Sequence, residues 1–310
     1  MPLSIGVIPP PPPPPAPQID VVRANWVAPD GTAWELMGPH EQFGWLTTPG
    51  IAGWGAAPIT IVTDPLARGG VEVRHIRTEP RRITWPLNVY GATHTQFLAR
   101  YRNLMRAFTQ TSRFRRPGVL TVRRPTGQAR SIEGYYEDGF GGEGGENAWH
   151  ANPVLTLFCP DGYWRDTVVE RVTRAYGSET ATPYLDPYIT VSSSQVLGQT
   201  TITNSGDVDT WPVWTITGPT TAVTATSNTL DASWTITFNL DAGETITVDT
   251  GSVRPTIRGP AGENLSGALD WPDAVLWPLV PGANDVGLLM EGAGEGSVIE
   301  LAFYRRYETA

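Results

Sequence analysis

From residue 19 to residue 164 the apolar positions come in short runs rich in β-branched and aromatic residues, each bounded by Gly, Pro or Asp. Runs at 34–36, 58–62, 71–76, 82–90, 118–122, 130–136 and 154–158 predict strands. Residues 124–127 (RPTG) predict the tight turn of a hairpin between two of them. One segment changes period. Phe97, Leu98, Tyr101, Leu104, Met105 and Phe108 recur at three- and four-residue spacing, the stripe of an amphipathic helix. Thr93 with Gln96 forms a capping box, so the pattern predicts one helix over about 94–110, about four turns packed on the first sheet and closed before Pro117. Arg100, Arg102 and Arg106 project away from that stripe, and Arg113, Arg115 and Arg116 continue the basic side. Such a set is either solvated surface or a subunit interface, where Arg is enriched.

Beyond residue 198 the strand period returns, with runs near 199–203, 212–217, 222–226, 234–240, 244–249, 253–258, 286–290 and 297–305. Eight strands of this length fit a sandwich of two antiparallel sheets. The expected organisation is a proline-rich segment at 1–18, a first domain at 19–170, a polar linker at 171–197 and a second domain at 198–310. The prolines at 9–15 predict polyproline II, a spacer or docking strip rising about 3.1 Å per residue. Residues 139–145 (GFGGEGG) read as a mobile hairpin tip, since they do not open a helix as a phosphate loop would.

Composition supports a β-dominated chain: 33 Gly and 29 Pro in 310 residues, with only 17% charged, favour short strands and turns over long helices. The net charge of −9 is uneven, because residues 1–174 carry 18 Arg against 15 carboxylates and residues 175–310 carry 4 against 16. All basic residues are Arg, and an acidic total without a basic face argues against nucleic-acid recognition. Cys159 is the single cysteine, which excludes an intrachain disulfide and predicts a buried small hydrophobe. The first residues lack a basic and apolar leader, and no run reaches the roughly 18 apolar residues of a membrane span. The expectation is synthesis in a cytoplasm without standard secretion or membrane insertion.

Candidate chemistry is sparse. There is no lysine for a phosphate loop, no Gly-x-Ser-x-Gly elbow and no His-Glu-x-x-His pair. His40, His75, His94 and His150 are scattered rather than at ligand spacing. Asp270 and Asp273 are close in sequence, which is only a weak sign of a glycosidase carboxylate pair, and turn capping accounts for them better. No catalytic, cofactor-binding or metal residue is assigned. Of twelve Trp, most are expected in cores; Trp271 and Trp277 are the candidates for stacking on a carbohydrate or a partner.

The ordered blocks resemble the siphophage distal tail (Dit) and minor tail protein family. The resemblance is carried by residues 34–36 (WEL), 50–58 (GIAGWGAAP), Gly70, 81–87 (RRITWPL), the helix, 118–122 (GVLTV), 126–127 with Arg130, and 160–164 (PDGYW). It continues through 204–207 (NSGD), 211–214 (WPVW), 242–250 (AGETITVDT), 276–284 (LWPLVPGAN) and 298–307 (VIELAFYRRY). It implies a fold: an N-terminal β-sandwich with one packed helix, then a galectin-like antiparallel sandwich. It also implies a structural virion protein at the phage tail tip, a ring homo-oligomer, usually a hexamer. Such a ring joins the tail tube protein to the baseplate hub or tail fibre, meets the tape measure protein, and leaves a channel through which DNA passes as cargo. The second domain has no histidine, so the sugar-binding motif of true galectins is missing. The alternative is a minor tail protein whose second domain binds host cell-wall carbohydrate.

Overall fold

A computed structural model of the chain describes residues 21–38, 44–125, 128–141, 149–177, 196–251 and 254–310. The proline run at 9–15, His40, the Thr126–Gly127 turn tip, most of the glycine-rich loop and most of the expected linker lie outside these residues. The first unit contains β1 (Arg23–Val27), β2 (Ala33–Met37), β3 (Trp45–Thr47), β4 (Ile59–Pro65), β5 (Val71–Thr78), β6 (Arg81–Tyr90), α1 (His94–Phe114), β7 (Gly118–Arg123), β8 (Ala129–Asp138), β9 (His150–Ala151), β10 (Val154–Cys159) and β11 (Trp164–Asp166). The second contains β12 (Glu170–Ala175), β13 (Val196–Asn204), β14 (Val213–Thr217), β15 (Thr220–Ser227), β16 (Ala232–Leu240), β17 (Thr245–Asp249), β18 (Thr256–Arg258), β19 (Gly282–Glu291) and β20 (Val298–Phe303). A last short strand, β21 (Arg306–Tyr307), returns to the first unit.

The first unit is built on antiparallel strands in the order β2-β1-β7-β8-β10-β6-β3. Strand β6 shows why: alternate residues Arg81, Ile83, Trp85, Leu87 and Val89 are all at most 1% exposed, while their neighbours face outward, as the two-residue period of a pleated strand requires. Helix α1 covers this core with Phe97, Leu104, Ala107, Phe108 and Thr111 buried and Leu98, Tyr101 and Met105 packed at the margin. Its N-cap is as expected, with the Thr93 hydroxyl accepting from Gln96 N (3.2 Å) and the Gln96 side chain accepting from Ala92 N (2.7 Å). The helix runs four residues past the expected end and stops where Arg115 turns left-handed (φ 51°), two residues before Pro117. Trp26 anchors it, stacking on Phe108 at 4.9 Å and donating its indole N–H to Ala107 O (3.1 Å). Gly118 makes room for that indole: a Cβ there would lie 2.2 Å from the Trp26 ring.

The second unit is a two-sheet sandwich. Sheet β12-β20-β14-β17-β18 packs on sheet β13-β19-β15-β16. Trp214, Trp234 and Trp277 form the centre, with Trp214 edge-to-face against both others at 5.4 and 5.2 Å, a favoured ring geometry. All eight strands expected here are present.

The chain crosses between units twice, side by side. Outbound β11 and β12 pair respectively with inbound β21 and β20, so the crossing is an interrupted antiparallel ribbon. The boundary expected after residue 170 therefore falls inside the second unit's edge strand, since Glu170–Ala175 pairs along β20. The final residues do not belong to the second unit alone either. Tyr307 and Ala310, each 5% exposed, sit in the first unit's core.

Arg81 holds this arrangement. It is 1% exposed, and its guanidinium donates to the carbonyls of Gly53 (2.6 Å), Gly55 (2.6 Å), Gly162 (2.9 and 2.7 Å) and Glu308 (2.9 Å). Replacing it by Met would leave buried carbonyls from three segments without donors. Arg81→Met is expected to cost about 3–5 kcal/mol, read as a lower urea midpoint at unchanged slope; the adjacent, exposed Arg82→Met should shift the midpoint far less.

Candidate assembly interface

Strands β4 and β5 form a two-stranded sheet that pairs with no other strand among the described residues. Cross-strand partners are Ile59 with Thr78, Ile61 with Ile76, Thr63 with Val73 and Pro65 with Val71, with a bulge between Val62 and Thr63. Cross-strand partners share a face. One face therefore carries Ile59, Ile61, Val71, Val73 and Ile76, and these five side chains are 51–58% exposed. The other face carries Thr60, Val62, Glu72, His75 and Arg77, together with the Arg74–Asp64 ion pair at 2.8 Å. The hairpin is thus amphipathic, and its apolar side is covered by nothing among the described residues.

Its base is fixed. Glu79 N donates to Pro58 O (2.8 Å), and the Thr78 hydroxyl bonds the Tyr163 hydroxyl (2.6 Å). Glu79 itself is held below the usual carboxylate range by hydrogen bonds from Thr60 and Arg77. The runs at 58–62 and 71–76 predict these strands, but the same alternation would suit a buried sheet, and no residue in them signals that the face is left open.

The basic set divides. Arg100 is half-buried and donates to Tyr90 O (2.8 Å), its guanidinium 5.8 Å from the Tyr90 ring centre. It braces the helix start against β6 and is not a free surface charge. Arg102, Arg106, Arg113, Arg115 and Arg116 are exposed and make no ion pair or side-chain hydrogen bond among the described residues.

The two tryptophan candidates also separate. Trp277 is 1% exposed, packed on Trp214 with its indole N–H on Ala225 O (3.3 Å), and so cannot stack on a ligand. Trp271 is 59% exposed on a turn, its indole N–H given to Ser266 O (2.9 Å). Asp270 and Asp273 flank it in the same exposed turn, where Ala274 N donates to Asp270 O (2.9 Å). That bond is made by the Asp270 backbone carbonyl; both carboxylates are exposed, while Trp277 is in the core.

No group of three His, Cys, Asp or Glu side chains capable of holding a metal occurs among the described residues. Cys159 is buried, and its thiol is pushed up to about 12 by burial, the nearby Arg81 charge pulling the other way. A thiol so placed is a core side chain and a poor nucleophile.

No model of a known protein family matches the sequence, and no curated protein does. Solved structures do match. The phage SPP1 Dit protein (gp 19.1), described as a paradigm of the hub adsorption apparatus in phages infecting Gram-positive bacteria, aligns with TM-score 0.64 at 14% identity, over 91% of this chain and 98% of that one. The phage P2 baseplate in its activated conformation aligns with TM-score 0.54 at 12% identity, over 94% of this chain and 100% of the matched chain. A strontium form of that baseplate matches equally, with TM-score 0.54 at 13% identity.

Two outcomes check these placements. Trp277→Ala should lose about 3–5 kcal/mol of stability, whereas Trp271→Ala should stay within about 0.5 kcal/mol, both by chemical unfolding. Cys159 should resist maleimide at pH 8 until the chain is unfolded. Because the folded thiol keeps its proton after the unfolded one has lost it, stability should fall as the pH rises from the ordinary thiol range toward 12. Over 91% of its length, through both units and the one α-helix among the described residues, this chain has the fold of the phage SPP1 Dit protein.

Proposed function

We propose that the chain is a structural protein of a phage tail tip that assembles with copies of itself into a ring, a hexamer, joining the tail tube to the baseplate hub or fibre. The uncovered apolar face of the β4–β5 hairpin carries the reading. A lone two-stranded sheet is marginal in water, and one that exposes five Ile and Val side chains on one face gains stability only by burying it. A closed ring supplies the cover, because a cyclic contact is heterologous: the hairpin of one copy meets a different surface on the next. The Dit fold supports the same reading, since the SPP1 protein is described as part of a hub.

In this reading the protein acts through interfaces and carries out no catalysis. Its neighbours along the tail axis are the tube, tape measure and hub proteins, and DNA passes through the ring's channel. The glycan-binding alternative is weaker on this chain, because Trp277 is in the core, which leaves Trp271 as the one exposed ring of the candidate pair.

The double variant Ile61→Asp, Ile76→Asp places two charges at the centre of the apolar face. In light scattering after size exclusion at 500 mM NaCl, with negative-stain imaging, wild type is expected as closed rings and the variant as a monomer with an unchanged unfolding midpoint. A variant that still forms rings would overturn the assignment of the hairpin, and a wild type that stays monomeric at every concentration would overturn self-assembly in solution.

A further inference from the structure

Helix α1 has a second regularity besides its core stripe. At 100° per residue, Arg102, Arg106 and Arg113 fall within about 40° of one another, almost opposite the face that buries Phe97, Leu104, Phe108 and Thr111. They make a straight row about 16 Å long on the solvent side. No Asp or Glu occurs anywhere in the helix, so there is no i, i+4 partner to neutralise the row. Arg115 and Arg116, both exposed, follow where the chain leaves the helix.

The chain also carries the complement. Three connections of the second unit, at 218–219, 241–244 and 292–297, meet at one end of the sandwich. Gly218 N donates to Glu244 O (2.9 Å), the Ser297 hydroxyl to Pro219 O (2.6 Å) and the Thr220 hydroxyl to Glu291 O (2.8 Å). This end bears Asp241, Glu244, Glu291 and Glu295, all exposed. No Arg lies in these connections; Arg174, opposite Ile299 near this end, is turned to the Thr200 hydroxyl. No ion pair among the described residues involves any of the four carboxylates. Other acidic positions of the second unit are differently placed: Glu300 is paired with Arg171, and Asp207 and Asp209 lie near Arg306. The acidic end is also the end away from the first unit, since β20 runs from it toward the crossing at Arg306.

Within the self-assembly reading above, we propose that the Arg102–Arg106–Arg113 row docks on the Asp241–Glu244–Glu291–Glu295 end of a second copy. The two patches sit on different units of one chain, the acidic one at the end of its unit away from the first, so a second copy is the partner that brings them together. The contact is exposed and electrostatic, so it adds orientation and salt sensitivity to an assembly whose apolar contact is the hairpin.

The test uses the full chain and charge reversal on both sides: Arg102→Glu, Arg106→Glu, Arg113→Glu, and separately Asp241→Arg, Glu244→Arg, Glu291→Arg. Sedimentation velocity is run at 50 and 500 mM NaCl, in the wild-type background and in the Ile61→Asp, Ile76→Asp background. At 50 mM each reversal is expected to weaken association about tenfold, the factor that three exposed pairs supply. Mixing the two reversed proteins restores it, and 500 mM NaCl abolishes the difference. Reading the effect in the hairpin background separates this contact from the ring itself: loss of rings with retained salt-sensitive pairing supports the inference. Association unchanged by the Arg reversal, or not restored by mixing, overturns it. So does row-dependent binding of a labelled DNA duplex at 150 mM NaCl without any effect on self-association.

Discussion

A single buried cation sets the geometry on which the rest of this protein depends. Arg81 has no carboxylate within its cage; four backbone carbonyls, from Gly53, Gly55, Gly162 and Glu308, take its guanidinium protons. Burial pulls its pKa below the ordinary Arg value, yet a guanidinium stays charged in proteins. Lysine could not substitute, because a point ammonium cannot address three segments lying in different directions, whereas the planar fork does so without rearrangement. The segments it collects matter outside the core. Gly162 precedes Tyr163, whose hydroxyl holds Thr78 at the base of the hairpin, and Glu308 accepts from Ala57 N (3.2 Å), next to the start of β4. The direction in which the apolar hairpin leaves the body is therefore tied to the same cage that receives the returning C-terminal strand.

That returning strand makes the two units mechanically one. Tyr307 lies under the Arg130 guanidinium (3.7 Å to its ring centre) and donates to Asp166 (3.2 Å); burial, and then the Asp166 charge, raise its pKa. Ala310 N donates to Trp54 O (3.0 Å), while Arg124 and Arg130 donate to the carbonyls of Ala310 and Thr309 (2.7 Å each). At the seam Arg305 pairs with both Asp166 and Glu170, and Arg306 forks onto Asp161 at 2.6 and 2.8 Å. A single flexible linker would leave the second unit free to swing. Two adjacent crossings, one of them ending inside the other unit's core, restrain that swing.

Much of this was legible from the order of residues, and the exceptions share a cause. Eight of the nine strands of the second unit, and most of the longer strands and the helix of the first, follow from local period and turn chemistry, because those signals act over a few residues; β1 and β12 carry too few apolar positions to show it. Strands β3, β9, β11 and β21 are two or three residues long and exist only through pairing with distant partners, which no local period reveals. Trp271 and Trp277 are the clearest case, both followed by proline and both after an acidic or apolar neighbour, yet one is 59% and the other 1% exposed. Arg100 and Arg102 differ likewise: a two-residue step turns the side chain by 200° around the helix, from the Tyr90 carbonyl to open solvent. Burial is a property of the tertiary neighbourhood, and the hairpin reverses the usual inference, since its alternating Ile and Val face no core at all.

An uncovered apolar sheet is a hazard as well as a device, and the hairpin's sequence controls how it can be used. Both its strands are edges, and open edges invite pairing with any extended chain. Pro65 ends β4 without an amide proton to offer, and Asp64, Glu72, Arg74 and Arg77 crowd the opposite face and the bulge with charge. The bulge between Val62 and Thr63 adds twist, which spoils the flat register that edge-to-edge stacking needs. What survives is the face. A partner that offers a shaped apolar surface can cover Ile59, Ile61, Val71, Val73 and Ile76 together, while a stray strand meets charge and curvature. The features that make the hairpin a poor strand donor leave its apolar face as the surface open to a shaped partner.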